Sequence, residues 1–359
     1  MKTNMFYLCF CLYICFSCSS EAPIQDISKT DEGTYYPPSN SNTWQTKSVN
    51  DVGWNVTKLQ PLLDYLKDQN TKGFMILYDG KIVVEAYMNG HDTNKLWYWA
   101  SAGKTLTTTL SGIAQEEGLI NINDKVSDYL GTGWTSAPLE KENLITCKNL
   151  LSMNSGLDDS TDSVAPQDLQ YVANAGTRWA YHNVYKKMQD VIAEASNTSF
   201  KNYFNTKLRD KIGMSNTAGG WLELNDFNVY WSDTRSMARF GLLIYANGKW
   251  GDEQIVPEFF LNEATNPSQD SNKSYGYLWW LNGKTSFHLP GSQLEFDGEL
   301  IPNAPDDMFA ALGKNDQKIY IVPSKKLVII RMGEAADSEN FALSSFDNDL
   351  WEKINELIN

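Results

Sequence analysis

Residues 99–104 of this 359-residue chain read WASAGK, which places Ser101 and Lys104 three positions apart. The apolar residues that follow recur at helical spacing as far as a glycine stop at position 118. Residues at positions i and i+3 of a helix share a face, so the lysine amine can reach the serine hydroxyl. A hydroxyl attacks poorly unless a neighbouring group takes its proton. The spacing therefore indicates a serine nucleophile that needs no histidine.

This tetrapeptide is a weak signal by itself. A serine that caps a helix ahead of a solvated lysine has the same pattern, and short motifs often match by chance. No second S-x-x-K occurs in the chain, so Ser101 is the one candidate of this kind. Ser101 would lie in the first turn of the helix, where the free backbone N–H groups favour negative charge that develops on the serine or the substrate oxygen. The motif needs support from the rest of the sequence.

The composition predicts a globular protein with one large domain or two intimately packed ones. Hydrophobic residues make up 42% of the chain, enough for a sizeable core. The net charge of -14 argues against a nucleic-acid partner, because neutralising phosphates requires a basic surface.

The N-terminus resembles a targeting segment. Lys2 precedes an apolar run over residues 5–16 that is too short to span a bilayer. Residues 1–18 end like a bacterial lipoprotein signal, which makes Cys18 the candidate for lipidation; an ordinary secretory signal cut a few residues later is the alternative. We expect an exported protein of the cell envelope, anchored by lipid or periplasmic. Residues 19–50 are rich in polar residues and proline and are predicted to be a linker.

The strand signals lie at both ends of the remaining chain. A hairpin is predicted where apolar runs at 74–78 and 81–87 flank Asp79-Gly80. Further apolar runs occupy 277–280, 308–312, 318–322 and 327–330, and a helical pattern closes the chain at 350–358. The sequence therefore predicts an α+β domain over 51–359. Its antiparallel sheet would be built from about 51–100 and 250–359 and flanked by helices, with a mostly helical insertion over about 101–249.

A second candidate motif is the Y-x-N at Tyr181-His182-Asn183. The same pattern starts at residues 87, 203 and 245, but there it falls in probable strands or helices. Tyr181 instead follows a Gly-Thr turn and precedes a helix, in the kind of loop that often holds functional groups.

With these motifs the chain resembles the serine β-lactamase and penicillin-binding protein superfamily. The similarity is to its class C-like hydrolases, which include esterases, D-aminopeptidases and 6-aminohexanoate-dimer hydrolases. It extends over about residues 55–335, and its ordered runs are 99–104, 112–118, 150–157, 176–183, 212–214, 236–241 and 313–323. Such an ordered set is far more specific than a single motif.

The resemblance implies a β-lactamase/transpeptidase-like fold and a Ser-Lys-Tyr catalytic centre. Ser101 would be the nucleophile, Lys104 its base or proton shuttle, and Tyr181 the group that exchanges a proton with the leaving group. Asn183 would orient the substrate. Lysine and tyrosine accept a proton at neutral pH only when their pKa is depressed, and the sequence leaves open which of the two is the resting base.

The third motif of the β-lactamases, Lys-Thr-Gly, is absent. The nearest match is Lys284-Thr285-Ser286, whose last residue differs. The better counterpart is the step Gly313-Lys314, as in hydrolases with Gly-x-x-Gly-Gln. There the backbone N–H of Lys314 would complete the oxyanion hole with that of Ser101, and Gly313 would border the substrate. β-Lactamase activity is therefore the less favoured interpretation. No glutamate in the sequence can be assigned to deacylation.

Metal and cofactor chemistry is not expected. His91, His182 and His288 are widely spaced and lack companions at ligand spacing, and His182 is expected only to fill the variable position of its motif. The tryptophans at 97, 99, 179, 279 and 280 are expected mainly in the core. The run 281–307 could border a cleft or be a plain surface excursion.

These features predict a serine hydrolase that cleaves ester or amide bonds of a small or peptide-like substrate through an acyl-enzyme. A cell-wall D-amino-acid carboxypeptidase or a weak class C-type β-lactamase is the alternative. A sensor that binds a lactam or peptide without turnover is the rival from another class.

Overall fold

The computed structural model describes residues 33–215, 219–224, 227–336 and 342–359. One structural unit comprises Thr34–Asn359. The predicted signal segment 1–18, its lipidation candidate Cys18 and residues 19–32 of the predicted linker lie outside the described residues.

The strands of the described residues are β1 (Thr71–Tyr78), β2 (Lys81–Tyr87), β3 (Trp97–Tyr98), β4 (Gly220–Leu224), β5 (Phe227–Ser232), β6 (Lys249–Trp250), β7 (Glu253–Gln254), β8 (Trp280–Leu281), β9 (Ser286–His288), β10 (Glu295–Asp297), β11 (Phe309–Gly313), β12 (Gln317–Val322) and β13 (Leu327–Gly333). The α-helices are α1 (Leu59–Asp68), α2 (Lys104–Glu116), α3 (Val126–Leu130), α4 (Leu139–Glu142), α5 (Cys147–Leu151), α6 (Lys187–Ser196), α7 (Phe200–Phe204), α8 (Thr234–Tyr245), α9 (Glu258–Ala264) and α10 (Ser345–Ile358). Short 3-10 turns occupy Val56–Lys58, Ala100–Gly103, Asn183–Lys186 and Pro323–Lys325, and a π turn occupies Asn205–Arg209.

The main sheet has the strand order β2-β1-β13-β12-β11-β8, with antiparallel pairing throughout. The predicted hairpin is present, and its turn residues Asp79 and Gly80 have positive φ angles of 49° and 82°. On its other edge β1 pairs with β13, which lies near the end of the chain. One antiparallel sheet is therefore assembled from both ends of the chain, as the sequence predicts.

Helices cover both faces of this sheet. Ile319 of β12 faces α8, where a methyl group added to Gly241 would lie 3.2 Å from the Ile319 Cγ2. The next residue, Tyr320, points the other way and meets Trp351 of α10, with ring centroids 5.6 Å apart. Because both faces are covered, β12 and β13 are buried along their whole length.

Besides its helices, the insertion between the two parts of the sheet contains the strands β4 and β5. They join β3, which lies just before the insertion, in a small sheet of order β3-β5-β4. Trp221 and Tyr230 face each other across β4 and β5 with ring centroids 5.2 Å apart, a type of pair that stabilises antiparallel strands. The sequence conceals β4 because Leu222, an apolar residue, occupies a position that is 48% exposed beside the buried Trp221, so apolar and polar residues do not alternate along the strand.

Residues 34–50, the second part of the predicted linker, pack against the domain. The indole of Trp44 donates to the carbonyl of Gly80 over 2.7 Å, and the Arg239 guanidinium donates to that of Pro38 over 3.0 Å. A polar composition does not reveal such backbone partners, so it suggests a linker here. The folded unit starts near residue 34 instead of 51.

Cys147 is buried at the start of α5. Thr146 caps that helix by accepting a hydrogen bond from the N–H of Asn149 over 3.2 Å. Among the described residues, no helix combines the length and the apolar composition that a membrane span requires.

Candidate active site

Ser101 and Lys104 lie where β3 leads into the buried helix α2. The 3-10 turn Ala100–Gly103 carries Ser101, and Lys104 is the first residue of α2. The Lys104 ammonium donates to the Ser101 hydroxyl over 2.7 Å. The contact that the spacing predicts is thus present, but it spans a 3-10 turn instead of the first turn of a regular α-helix.

The backbone directly before Ser101 is strained. Ala100 has a φ of 47°, a left-handed conformation that costs a non-glycine residue about 1 to 3 kcal/mol. Two hydrogen bonds of Trp99 hold the turn. Its backbone N–H donates to the carbonyl of Tyr230 over 2.9 Å, and its indole N–H donates to the hydroxyl of Ser232 over 2.8 Å. Strain maintained by packing is typical of functional turns, so it supports this site independently of the motif.

Lys104 is buried, with only 4% of its surface exposed. Its ammonium lies 4.8 Å from the ring centroid of Tyr181 and 4.9 Å from that of Tyr185. Burial by itself lowers the pKa of Lys104, but the two phenols, whose ionised forms attract the ammonium, more than offset this and raise the pKa. Tyr185 was not singled out in the sequence because its position resembles any apolar core position.

Tyr181 stands against aromatic rings from a distant part of the chain. It stacks on Trp280 with ring centroids 5.8 Å apart and an interplanar angle of 28°, and it meets Tyr275 edge-on at 6.2 Å. Trp179 contacts both rings, at 4.9 Å from Tyr275 and 6.1 Å from Trp280. Trp179 and Trp280 are buried, as expected for core tryptophans. These rings fix the orientation of Tyr181 beside Lys104.

The run 281–307 contacts the same aromatic cluster. The indole of Trp179 donates to the carbonyl of Leu289 over 3.1 Å, and the side chain of Gln293 donates to the carbonyl of Trp179 over 2.7 Å. Of the two interpretations left open by the sequence, a border of the site fits these contacts better than a plain surface excursion.

His182 holds a neighbouring loop in place, so it does more than occupy the variable position of the Y-x-N motif. Its Nε2 lies 2.7 Å from the carbonyl oxygen of Thr161, and its Nδ1 accepts the N–H of Val184 over 3.2 Å. Burial lowers the pKa of His182, so the ring is neutral at pH 7. Asn183 contacts the same loop, donating from Nδ2 to the carbonyl of Asp162 over 3.1 Å. The 158–163 loop is thereby held beside the Y-x-N segment.

Gly313, the last residue of β11, lies directly against the turn that carries Ser101. A methyl group at Gly313 would be 2.4 Å from the carbonyl oxygen of Trp99 and 3.0 Å from the backbone nitrogen of Ala102. A glycine allows this approach of two backbones because it has no Cβ. Lys314 follows with an exposed side chain. The structure thus brings the Gly313-Lys314 step to the turn that carries Ser101.

Two buried side chains hold the turn that follows β11. Gln317 donates to the carbonyls of Lys314 and Asn315 over 3.3 and 2.8 Å, and Arg331 donates to those of Asn315 and Asp316 over 3.0 and 2.9 Å. These bonds fix the backbone of the turn, and with it the position of Lys314. Arg331 matches no motif of the sequence, although an arginine inside the apolar run LVIIRMG is a visible signal.

The Lys-Thr-Ser triplet lies apart from this site. Lys284-Thr285-Ser286 leads into the hairpin of β9 and β10 and is not part of β11, the strand beside Ser101. Within the described ranges, no three or more His, Cys, Asp or Glu side chains are grouped as metal ligands would be.

The arrangement suits nucleophilic chemistry. A serine hydroxyl contacts a buried ammonium, a phenol lies beside that ammonium, and a second backbone segment approaches the serine turn. Such groups can activate a hydroxyl, move its proton and stabilise an oxyanion.

Comparisons with known proteins bear on the fold and the family. A family model described as Beta-lactamase matches residues 64–344. A Bacillus anthracis protein described as a candidate 6-aminohexanoate-dimer hydrolase superimposes with a TM-score of 0.67 at 20% identity, covering 91% of each chain. A candidate β-lactamase from Bacteroides dorei gives 0.66 at 16% identity, covering 85% of this chain and 99% of the other. A penicillin-binding protein from Bacillus halodurans gives 0.57 at 15% identity, covering 82% and 99%. Among curated proteins, none matches this sequence.

Proposed function

The chain belongs to the beta-lactamase family, and from that premise we propose that it cleaves ester or amide bonds through an acyl-enzyme on Ser101. The family and the hydrolase-like neighbours support a serine hydrolase in general. The observation that carries the residue assignment is the 2.7 Å hydrogen bond from the buried Lys104 ammonium to the Ser101 hydroxyl.

In the proposed reaction the Ser101 Oγ attacks the carbonyl carbon of the substrate. The oxyanion of the tetrahedral intermediate accepts hydrogen bonds from the backbone N–H groups of Ser101 and Lys314. The intermediate expels an alcohol or amine, which takes up a proton, and the acyl group remains on Ser101 as an ester. Water then attacks this ester, which releases the acid and restores the hydroxyl. The close approach of Gly313 to the Ser101 turn supports the pairing of the two N–H donors.

Lys104 and Tyr181 would share the handling of protons. The raised pKa of Lys104 favours its ammonium form, which has no lone pair to accept the serine proton. We therefore assign the acceptor role to the Oη of Tyr181, which would later return the proton to the leaving group. Lys104 would stabilise the negative charge on the two oxygens that exchange that proton. This assignment gives the Ser-Lys-Tyr centre of a class C-like enzyme.

Small or peptide-like esters and amides are the proposed substrates. The Lys-Thr-Ser triplet ends at the first residue of β9 and is not on the strand beside Ser101. Its position gives no support to recognition of a β-lactam carboxylate. A D-amino-acid carboxypeptidase, a weak β-lactamase and a non-catalytic sensor are the alternatives that an assay must separate.

We also propose, from the sequence alone, that residues 1–18 direct export and that Cys18 carries a lipid anchor. Metabolic labelling with a fatty acid tests this. Label on the wild-type chain that disappears in Cys18→Ser supports the proposal, and an unlabelled wild type contradicts it.

A substrate panel tests the enzymatic proposal. Purified protein and its Ser101→Ala variant would be assayed on p-nitrophenyl acetate, a matched p-nitroanilide, nitrocefin and a D-Ala-D-Ala peptide. Turnover of the ester or anilide that is lost in Ser101→Ala supports the proposal. Turnover confined to nitrocefin or the D-Ala-D-Ala peptide would support the cell-wall alternatives, and binding without turnover would support the sensor.

A further inference from the structure

A hydrogen bond joins the turn that follows β11 to the strand that leads to Ser101. The side-chain amide of Asn315 donates to the hydroxyl of Tyr98 over 2.6 Å. Asn315 directly follows Lys314, and Tyr98, in β3, lies three positions before Ser101. The bond therefore connects the two chain segments that carry the proposed oxyanion donors.

Lys314 is held against the serine segment on both of its sides. On one side, a methyl group at Gly313 would lie 2.4 Å from the carbonyl oxygen of Trp99, so the two backbones are in contact. On the other side, Asn315 is bonded to Tyr98. The N–H of Lys314 lies between these two contacts, so its place relative to the serine segment depends on both.

The other bonds to this turn come from the main sheet. Gln317 of β12 and Arg331 of β13 donate to the main-chain oxygen of Asn315 over 2.8 and 3.0 Å. They fix the shape of the turn, in which Asn315 has a φ of 60°. Asparagine adopts this left-handed conformation more readily than most residues. The Asn315 side chain therefore leaves a rigid turn in a fixed direction, toward β3.

Tyr98 is a rigid partner for that side chain. Its ring stacks on Trp97 with centroids 5.5 Å apart and meets Trp231 of the neighbouring strand at 5.4 Å. The indole of Trp97 donates to the carbonyl of Gly333 over 3.1 Å, which joins β3 to β13. Burial raises the pKa of Tyr98 above its ordinary value of 10.0, so the phenol stays neutral throughout the pH range of an activity assay.

We propose that the Tyr98–Asn315 bond sets the position of the Lys314 N–H relative to that of Ser101, which makes Tyr98 and Asn315 positioning residues for acyl transfer. This inference rests on the proposed function and deepens it. An oxyanion hole stabilises charge that develops in the transition state and is absent from the bound substrate. Acylation and deacylation both pass through an oxyanion, so loss of the bond slows both steps. We therefore expect kcat to fall while KM stays nearly unchanged.

Tyr98→Phe and Asn315→Gly test the two ends of the bond. Phenylalanine keeps the stacked ring and removes the hydroxyl, and glycine accepts the φ of 60° without strain. With p-nitrophenyl acetate, each variant should lower kcat about tenfold, keep KM within about twofold and remain folded by circular dichroism. Unchanged kcat in either folded variant would overturn the inference. A raised KM with unchanged kcat would also overturn it, because it would show that the side chain contacts substrate instead.

The double variant separates a shared role from two independent ones. Both substitutions remove the same bond, so Tyr98→Phe combined with Asn315→Gly should be about as active as the less active single variant. Losses that multiply would overturn the inference.

Tyr203→Phe is the matched control. Its hydroxyl donates to the Glu117 carboxylate over 2.9 Å, and Glu117 lies about 20 Å along α2 from Lys104. This variant also loses a half-buried phenol bond, and it should keep kcat within about twofold of wild type. An equal loss in the control would overturn the positioning role, because it would show a general effect of loosening the fold. A wild type without turnover that depends on Ser101 would overturn the proposed function and this inference together. Turnover that depends on Ser101 but is insensitive to Tyr98→Phe would overturn this inference alone.

Discussion

A methyl group on the α-carbon of Gly313 would lie 2.4 Å from the carbonyl oxygen of Trp99. The strand β11 and the turn that carries Ser101 therefore touch through their backbones, without a side chain between them. The two proposed oxyanion donors, the N–H groups of Ser101 and Lys314, come from the two sides of this contact. Its distance sets the width of the proposed oxyanion hole.

Gly313→Ala is expected to lower kcat/KM by about 100-fold or more, because it pushes one oxyanion donor away from the other. Gly103→Ala is the matched control on the same turn, since a methyl there would meet its nearest atoms at 3.6 and 3.7 Å, in ordinary contact. We expect Gly103→Ala to retain activity within about threefold. Steady-state kinetics on folded variants measure both, and equal effects would contradict the role of the Gly313 contact.

Lys314 should act through its backbone and not through its exposed side chain. Lys314→Ala keeps the N–H and should retain most of kcat/KM. Lys314→Pro removes the N–H and should lower kcat by about 10²- to 10³-fold, the usual effect of losing one oxyanion donor. Circular dichroism would show that the proline variant is folded. A strong loss of activity in Lys314→Ala would instead assign the role to the ammonium.

Lys104→Met should abolish turnover but not destabilise the protein. The buried ammonium loses its hydration, and an apolar side chain of similar length removes that cost. We expect kcat to fall by at least about 10³-fold and Tm to stay equal or rise. Differential scanning fluorimetry and kinetics test the two halves separately. A large fall in Tm would show that Lys104 stabilises the fold, contrary to this account.

The neutral state of His182 predicts a dependence of stability on pH. Burial lowers its pKa from the ordinary value of 6.5, so below that value the unfolded chain binds a proton that the folded chain does not. The contribution of His182 to the free energy of unfolding is thus fully present above pH 6.5, and it is lost as the pH decreases. The free energy of unfolding, measured by urea denaturation between about pH 7 and pH 5, should have a shallower slope against pH in His182→Gln. His91→Gln leaves His182 in place and should keep the His182 share of the slope; an unchanged slope in His182→Gln would contradict the prediction.

Local signals in the sequence were sufficient for the hairpin and for the Ser101–Lys104 contact. Asp79 and Gly80 suit a turn that requires positive φ, and the three-residue spacing alone brings the lysine to the serine. The sheet followed because its strands carry strong apolar runs at both ends of the chain. The short strand β4 was not predictable, since Leu222 places an apolar residue at an exposed position and removes the alternation of apolar and polar residues.

The remaining features of the site depend on contacts between distant residues. Tyr275 and Trp280 reach Tyr181 from about a hundred positions away, and Arg331 holds a turn whose residues it only approaches in the folded sheet. The orientation of the Asn183 amide depends on where a carbonyl of a polar loop points. Neither spacing nor composition encodes such geometry.

Covalent labelling of Ser101 tests the central claim most directly. The protein would be incubated with a fluorophosphonate, weighed intact by mass spectrometry and then mapped by peptide digestion. We predict a single adduct on the peptide that contains Ser101, and no adduct on a folded Ser101→Ala variant. An unlabelled wild type, or a label that persists in Ser101→Ala, would contradict the account.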